Sequence, residues 1–102
     1  MKKRVIETFN KDNEWHGYMV ECPGCEMCHV YDKRWAFNGN MERPTFIPSY
    51  LSECTWGPKQ EKRRCHSFVR DGKIQFLKDC THALSGQTVE LPFVVDAVEE
   101  AS

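Results

Sequence analysis

The stretch that decides the fold is "CHSFVRDGKIQFLKDCTH", Cys65 to His82. Two alternating runs flank Asp71-Gly72, and a Cys/His pair stands at each end. Asp-Gly between such runs marks a two-residue hairpin turn, whose central residues need positive φ. A turn there pairs Arg70 with Lys73 and, counting outward, His66 with Leu77 and Cys65 with Lys78. Successive side chains of a strand point to opposite faces. One face then carries Cys65, Ser67, Val69, Ile74, Phe76 and Lys78, and Cys80 continues it. The other carries His66, Phe68, Arg70, Lys73, Gln75 and Leu77, and Asp79 continues it. The hairpin thus sorts its groups into a thiol side and an imidazole–carboxylate side, and Cys65 and His66 do not easily share one metal ion.

On the thiol side the partner motif is "CPGC", Cys22 to Cys25. Two thiolates two residues apart on a Pro-Gly turn can bite one ion, and zinc suits such soft ligands in a closed four-coordinate site. Cys65 and Cys80 are the second pair the hairpin offers. The expected metal ligands are therefore Cys22, Cys25, Cys65 and Cys80, around a structural Zn2+. Competing ligands are Cys28, His29, Cys54 and His82, with His29 the strongest rival through "CEMCH". Cys28 and Cys54 read as ordinary half-buried thiols. A thioredoxin-like role for "CPGC" is the weaker reading, because no βαβ pattern surrounds it.

On the imidazole side, Asp79 lies diagonal to His66, where a carboxylate can hold the ring in one tautomer. A nucleophile has to come from another segment. Ser67 neighbours His66 and points away from it, and Ser85 lies near His82. Ser49 follows Pro48 in an irregular strand, a good place to present a hydroxyl. Taken singly, a serine and a histidine are more often ordinary surface or core residues.

Outward from the hairpin the chain reads as short strands between turn residues. "GYMVEC" (17–22), "RWAFNG" (34–39), "PTFIPSYL" (44–51) and "QTVELPFVV" (87–95) are the other candidates. The prolines of the third place it at an edge or make it irregular. "CTHALSG" suggests one helical turn, capped by Asp79 and stopped by Gly86. Trp35, Phe37, Phe46 and Tyr50 at strand spacing read as core before binding groove. The expected fold is mostly β, a small α+β domain of antiparallel strands and hairpins stapled by one zinc site. It is expected to span residues 1–102 as a single domain, with a frayed acidic tail over 96–102.

The 102 residues are 40% hydrophobic and 28% charged with a formal net charge of −1, a globular composition that does not call for nucleic acid. The basic run "KQEKRR" (59–64) is broken by Glu61 and reads as a solvated loop. No run is apolar enough for a signal segment or a membrane span, so a cytoplasmic location without membrane contact is expected. Six cysteines in such a chain point to metal before disulfide.

"CPGC" with a nearby His, "WAFNG", "RPTFIPS", "CHSFVRDGKIQFLKDC" and "THALSGQTVEL", in this order, resemble a family of small phage and prophage proteins. Its members often carry the label ammonia monooxygenase, which no feature here supports. That family in turn is similar to the BubE-type peptidases found beside bacterial ubiquitin-like conjugation genes. The shared elements are the cysteine turn, a "PTxxPS" stretch and the His-bearing hairpin. The resemblance implies a Ser49 nucleophile with His66 as general base, acting on a ubiquitin-like C-terminal tail in the host bacterial cell. This sequence has Cys65-His66-Ser67 where the peptidase pattern has Ser-His-aromatic, and it adds "DCTH". Two functions follow: a zinc-stabilised serine peptidase using Ser49, His66 and Asp79, or a non-catalytic zinc-bound module that binds a host protein, in a counter-defence role.

Overall fold

In the computed structural model, which describes residues 2–96, Asp71 and Gly72 both take positive φ, 50° and 78°, the backbone of a tight hairpin turn. Ten strands run along the described residues: β1 (Lys2–Lys3), β2 (Ile6–Phe9), β3 (Trp15–Cys22), β4 (Met27–Tyr31), β5 (Ala36–Phe37), β6 (Phe46–Trp56), β7 (Glu61–Arg70), β8 (Lys73–Phe76), β9 (Thr88–Glu90) and β10 (Val95–Asp96). All pairings are antiparallel, in a β1-β10 ribbon, a β2-β3-β4 sheet and a β5-β6-β7-β8-β9 sheet. The fold is mostly β, as the turn spacing predicts. No helix, and so none that could cross a membrane, occurs among the described residues.

The hairpin register is the expected one: Arg70 faces Lys73, Val69 faces Ile74 and Ser67 faces Phe76. Cys65, Ser67, Val69, Ile74 and Phe76 are all buried, while His66 and Phe68 are half-buried on the opposite face. The ladder ends at Phe76, so Lys78, expected on the thiol side, is exposed. Cys80 nonetheless returns to the buried face.

The two larger sheets meet across that face. Tyr31 of β4 stacks on Phe46 of β6 with ring centroids 4.1 Å apart, and Val20, Val69, Ile74, Phe76 and Leu91 complete the core. Trp35, Phe37 and Tyr50 pack against it. Burial of each such large side chain contributes about 1.5–3 kcal/mol. Arg4 is buried too, its guanidinium donating to Leu91 O (2.8 Å) and Glu42 O (2.9 Å) and pairing with Glu90 (3.0 Å).

Several expectations change. "CTHALSG" is not helical but a chain of turns, with Ser85 N–H on His82 O and Gln87 N–H on Leu84 O. Asp79 caps nothing there, because its carboxylate is engaged by His66. "RWAFNG" shortens to Ala36–Phe37, since Asp32 and Asn38 take backbone amides into turns around it. "KQEKRR" is no loop from Glu61 on: β6 and β7 continue past the core as a two-stranded arm closed by Gly57 and Gln60 at positive φ. β2 and β4 were hidden among polar residues; Asn10 and the Cys22–Met27 turn join them to β3. Asp96 pairs with Lys2, and the rest of the expected acidic tail, 97–102, lies outside the described residues.

β6 departs from regularity at one place. Phe46 pairs with Val69 and Tyr50 with Ser67, so β6 takes four residue steps where β7 takes two. The bulge holds Pro48, which has no N–H to give the ladder, and Ser49 beside it.

Candidate functional site

On the thiol side three elements converge. The Cys22–Met27 turn closes with Glu26 at φ 58° and its N–H on Cys22 O at 2.9 Å. The Cys25 N–H then points inward onto Cys22 Sγ at 3.3 Å. β7 brings Cys65 Sγ to 3.8 Å from Cys22 Sγ, and β4 brings His29. One ligand atom from each of Cys22, Cys25, His29 and Cys65 lies within 4.8 Å of the others, so the four could hold a metal ion. A second group, sharing Cys65, joins Cys80 and His82 under the same limit.

The predicted set is thus split. The structure brings Cys22, Cys25 and Cys65 together and adds His29. It places Cys80 beside Cys65 and His82, with its sulfur engaged by the His66 backbone: the His66 N–H donates to Cys80 Sγ and the Cys80 thiol to His66 O, both at 3.2 Å. Cys28 and Cys54 belong to neither group and are exposed where half-burial was expected, because both lie on solvent-facing positions of β4 and β6.

Two further observations favour a cation. Both ring nitrogens of His29, a residue 2% exposed and stacked on Tyr50, lack a hydrogen-bond partner. Burying such atoms unpartnered costs about 1–3 kcal/mol, which a bound ion offsets. The thiols also compete for charge. The Cys65 thiol hydrogen-bonded to it pulls Cys22 down to about 3 despite burial, with help from His29. Burial and the Cys22 charge push Cys25 up to about 11, and Cys65, holding the proton against Cys22, is pushed up as well. Soft sulfur and imidazole donors at this spacing fit a tetrahedral ion such as zinc.

His82 closes this region from outside. A Cβ on Gly24 would come within 2.2 Å of His82 Cε1, so the second residue of the "PG" turn has to be glycine for the ring to lie there. Phe76 meets the same ring edge-on at 4.4 Å, and Leu84 N–H donates to its Nδ1 at 3.2 Å.

Across the hairpin lies the polar chain. Ser49 Oγ is 3.3 Å from His66 Nε2, and His66 Nδ1 is 3.2 Å from Asp79 Oδ2. The bulge swings Ser49 over β7, and its carbonyl is fixed by the Trp35 indole N–H at 3.3 Å. A carboxylate only accepts, so Nδ1 carries the proton and a neutral ring leaves Nε2 free to accept from the Ser49 hydroxyl. Desolvation pushes Asp79 up, but the hydrogen bond from His66 and the nearby Arg64 charge outweigh it and hold its carboxyl below the ordinary value. The side chains of His66 and Asp79 are 27% and 38% exposed, open enough for a substrate to reach. Ser67 is fully buried on the far face, and Ser85 Oγ donates to Lys78 O at 2.9 Å. Neither reaches His66.

Sequence reading missed Arg64. It reaches Asp79 Oδ2 with Nη1 at 3.4 Å while Nε binds Glu53 at 2.9 Å, tying the carboxylate to β6. The signal was available: Arg64 precedes His66 by two residues and so shares its face, but the charged run read as loop.

The sequence model of the family described as "Bacterial ubiquitination-like system serine protease (BubE)" matches residues 1–77. The chain belongs to this family. The matched span holds Ser49, His66, Cys22, Cys25, His29 and Cys65, and ends before Asp79, Cys80 and His82. No curated protein and no solved structure matches the chain.

Proposed function

We propose that this chain is a zinc-stabilised serine peptidase that cleaves the C-terminal tail of a ubiquitin-like protein in the cytoplasm of a bacterial cell. The observation that carries the reading is the unbroken Ser49–His66–Asp79 chain of contacts at 3.3 Å and 3.2 Å. His66 Nε2 takes the hydroxyl proton as Ser49 Oγ adds to the scissile carbonyl, and then gives it to the leaving amine. Asp79 holds the ring in the tautomer this needs and offsets its positive charge. Pro48 has no N–H, so the Ser49 N–H itself is the nearest backbone donor for the oxyanion. Water, deprotonated by His66, then frees Ser49 from the ester.

Cys22, Cys25 and Cys65 with His29 would hold the zinc ion, whose chemistry there is structural cross-linking of the two sheets. His66 is the chain neighbour of Cys65, and its N–H and C=O hold the sulfur of Cys80, the neighbour of Asp79, so the same cross-link would steady their spacing.

Labelling of the purified, metal-loaded protein with a fluorophosphonate, mapped by peptide mass spectrometry, tests the reading. A Ser49 adduct that is lost in His66→Ala supports it. No adduct on folded protein overturns it in favour of a non-catalytic zinc-bound module that binds a host protein.

A further inference from the structure

The long strand that carries Ser49 has an open edge. β5 pairs with β6 only at Phe46 and Ile47, and beyond Ile47 no described strand pairs with β6 on that side. Which backbone groups face this edge follows from the other side of the ladder. Leu51 lies opposite His66, and Glu53 opposite Arg64. The His66 N–H and C=O are both turned away from β6, to Cys80 Sγ (3.2 Å) and to Leu77 N–H (2.9 Å). Those of Arg64 are turned away likewise, to Thr81 Oγ1 and Thr81 N–H, each at 2.9 Å. In an antiparallel ladder such residues form the non-hydrogen-bonded pairs. Leu51 and Glu53 therefore direct their own N–H and C=O groups outward, to the open edge. The Ser49 carbonyl faces the same way, where the Trp35 indole occupies it.

From Ser49 the first free donor–acceptor couple on the edge is thus that of Leu51, about 7 Å along the strand, and the next is that of Glu53. Natural sheets blunt exposed edges with lysine, proline or covering segments. Here Pro48 precedes the serine, but past it the edge presents Leu51, 52% exposed.

We propose that the open edge of β6 binds the substrate as an added antiparallel strand, pairing the third residue before the scissile bond with Leu51. This rests on the peptidase reading and specifies the substrate's form: an extended polypeptide segment. An antiparallel partner of β6 runs from the Glu53 end toward Ser49, so the segment on the edge is the acyl side of the cleaved bond. Side chains directly opposite in such a pair lie on one face and touch. The residue paired with Leu51 is accordingly apolar, and its amide carries an N–H. Main-chain bonds supply affinity in this mode, and the alternating side chains supply specificity.

The test compares rates of Ser49 phosphonylation by two diphenyl phosphonates, in which the serine oxygen–phosphorus bond forms as phenoxide leaves. One is acetyl-glycine phosphonate; the other is acetyl-Leu-Ala-glycine phosphonate, which can reach Leu51. The longer probe should react roughly tenfold faster, the value of two added backbone hydrogen bonds. N-methylation of its leucine amide should remove that gain. Leu51→Pro, which deletes an outward N–H and keeps the β6–β7 bonds, should bring the ratio of the two rates toward one. Equal rates for the N-methylated and parent probes would overturn the edge proposal alone. Absence of any Ser49 adduct with either phosphonate or with a fluorophosphonate would overturn the peptidase reading, and this proposal with it.

Discussion

The two faces of the β7–β8 hairpin are built from alternate residues of the same strands, yet they obey different physics. One face buries Cys65, Ser67, Val69, Ile74 and Phe76 against the second sheet. There the polar problem is crowded thiols and an unpartnered imidazole, which a bound cation would resolve. The other face leaves His66 and Asp79 partly wet, held by side-chain hydrogen bonds and by Arg64. There the groups stay open to solvent. Because Cys65 adjoins His66 and Cys80 adjoins Asp79, changes on the buried face should reach the exposed one, while changes on the exposed face should stop there.

The largest expected effect breaks the buried face. Cys22→Ser with Cys25→Ser should abolish stoichiometric metal binding, measured by elemental mass spectrometry on the purified protein. Structural zinc contributes on the order of 10 kcal/mol of folding free energy in small domains. The variant should therefore lose its cooperative thermal transition and its Ser49 labelling together.

Changes on the exposed face should separate activity from stability. Asp79→Asn should slow fluorophosphonate labelling of Ser49 by up to about 10⁴-fold, as removal of the orienting carboxylate leaves the ring in the wrong tautomer. The melting temperature should stay within a few degrees, because Asp79 is a surface residue. A large loss of stability in Asp79→Asn would show that the two faces are not separable.

Gly24→Ala sharpens the same comparison. The new methyl meets the His82 ring at less than van der Waals distance. The ring has to move, at a cost of about 1–3 kcal/mol in thermal or urea unfolding. Labelling per folded molecule should change little, since the methyl meets only the His82 ring and leaves Cys65 and Cys80, the chain neighbours of His66 and Asp79, in place.

The smallest effect belongs to the thiols outside both clusters. Cys28→Ser and Cys54→Ser should each shift stability by less than about 0.5 kcal/mol and leave metal content unchanged, because both are exposed. Loss of metal in either variant would redraw the ligand set.

Local chemistry determined a good deal of this molecule. Asp71-Gly72 sets the hairpin register through its need for positive φ, and period-two alternation then separates Cys65 from His66; Cys80 and Asp79, past the end of the ladder, are held by their contacts to His66. The mostly β class, the "CPGC" bite and the aromatic core were legible for the same reason: each depends on residues close in sequence. What stayed hidden depends on contacts between distant segments. Whether His29 or Cys80 joins Cys22, Cys25 and Cys65 is decided by how β4 packs across β7. Ser49 reaches His66 because β6 bulges by two residues against β7, a register no single strand contains. The charged run 61–64 forms strand because β6 pairs with it, overriding a composition that reads as loop. Tertiary pairing alone exposes the edge of β6, because an edge is defined by the strand that is not beside it.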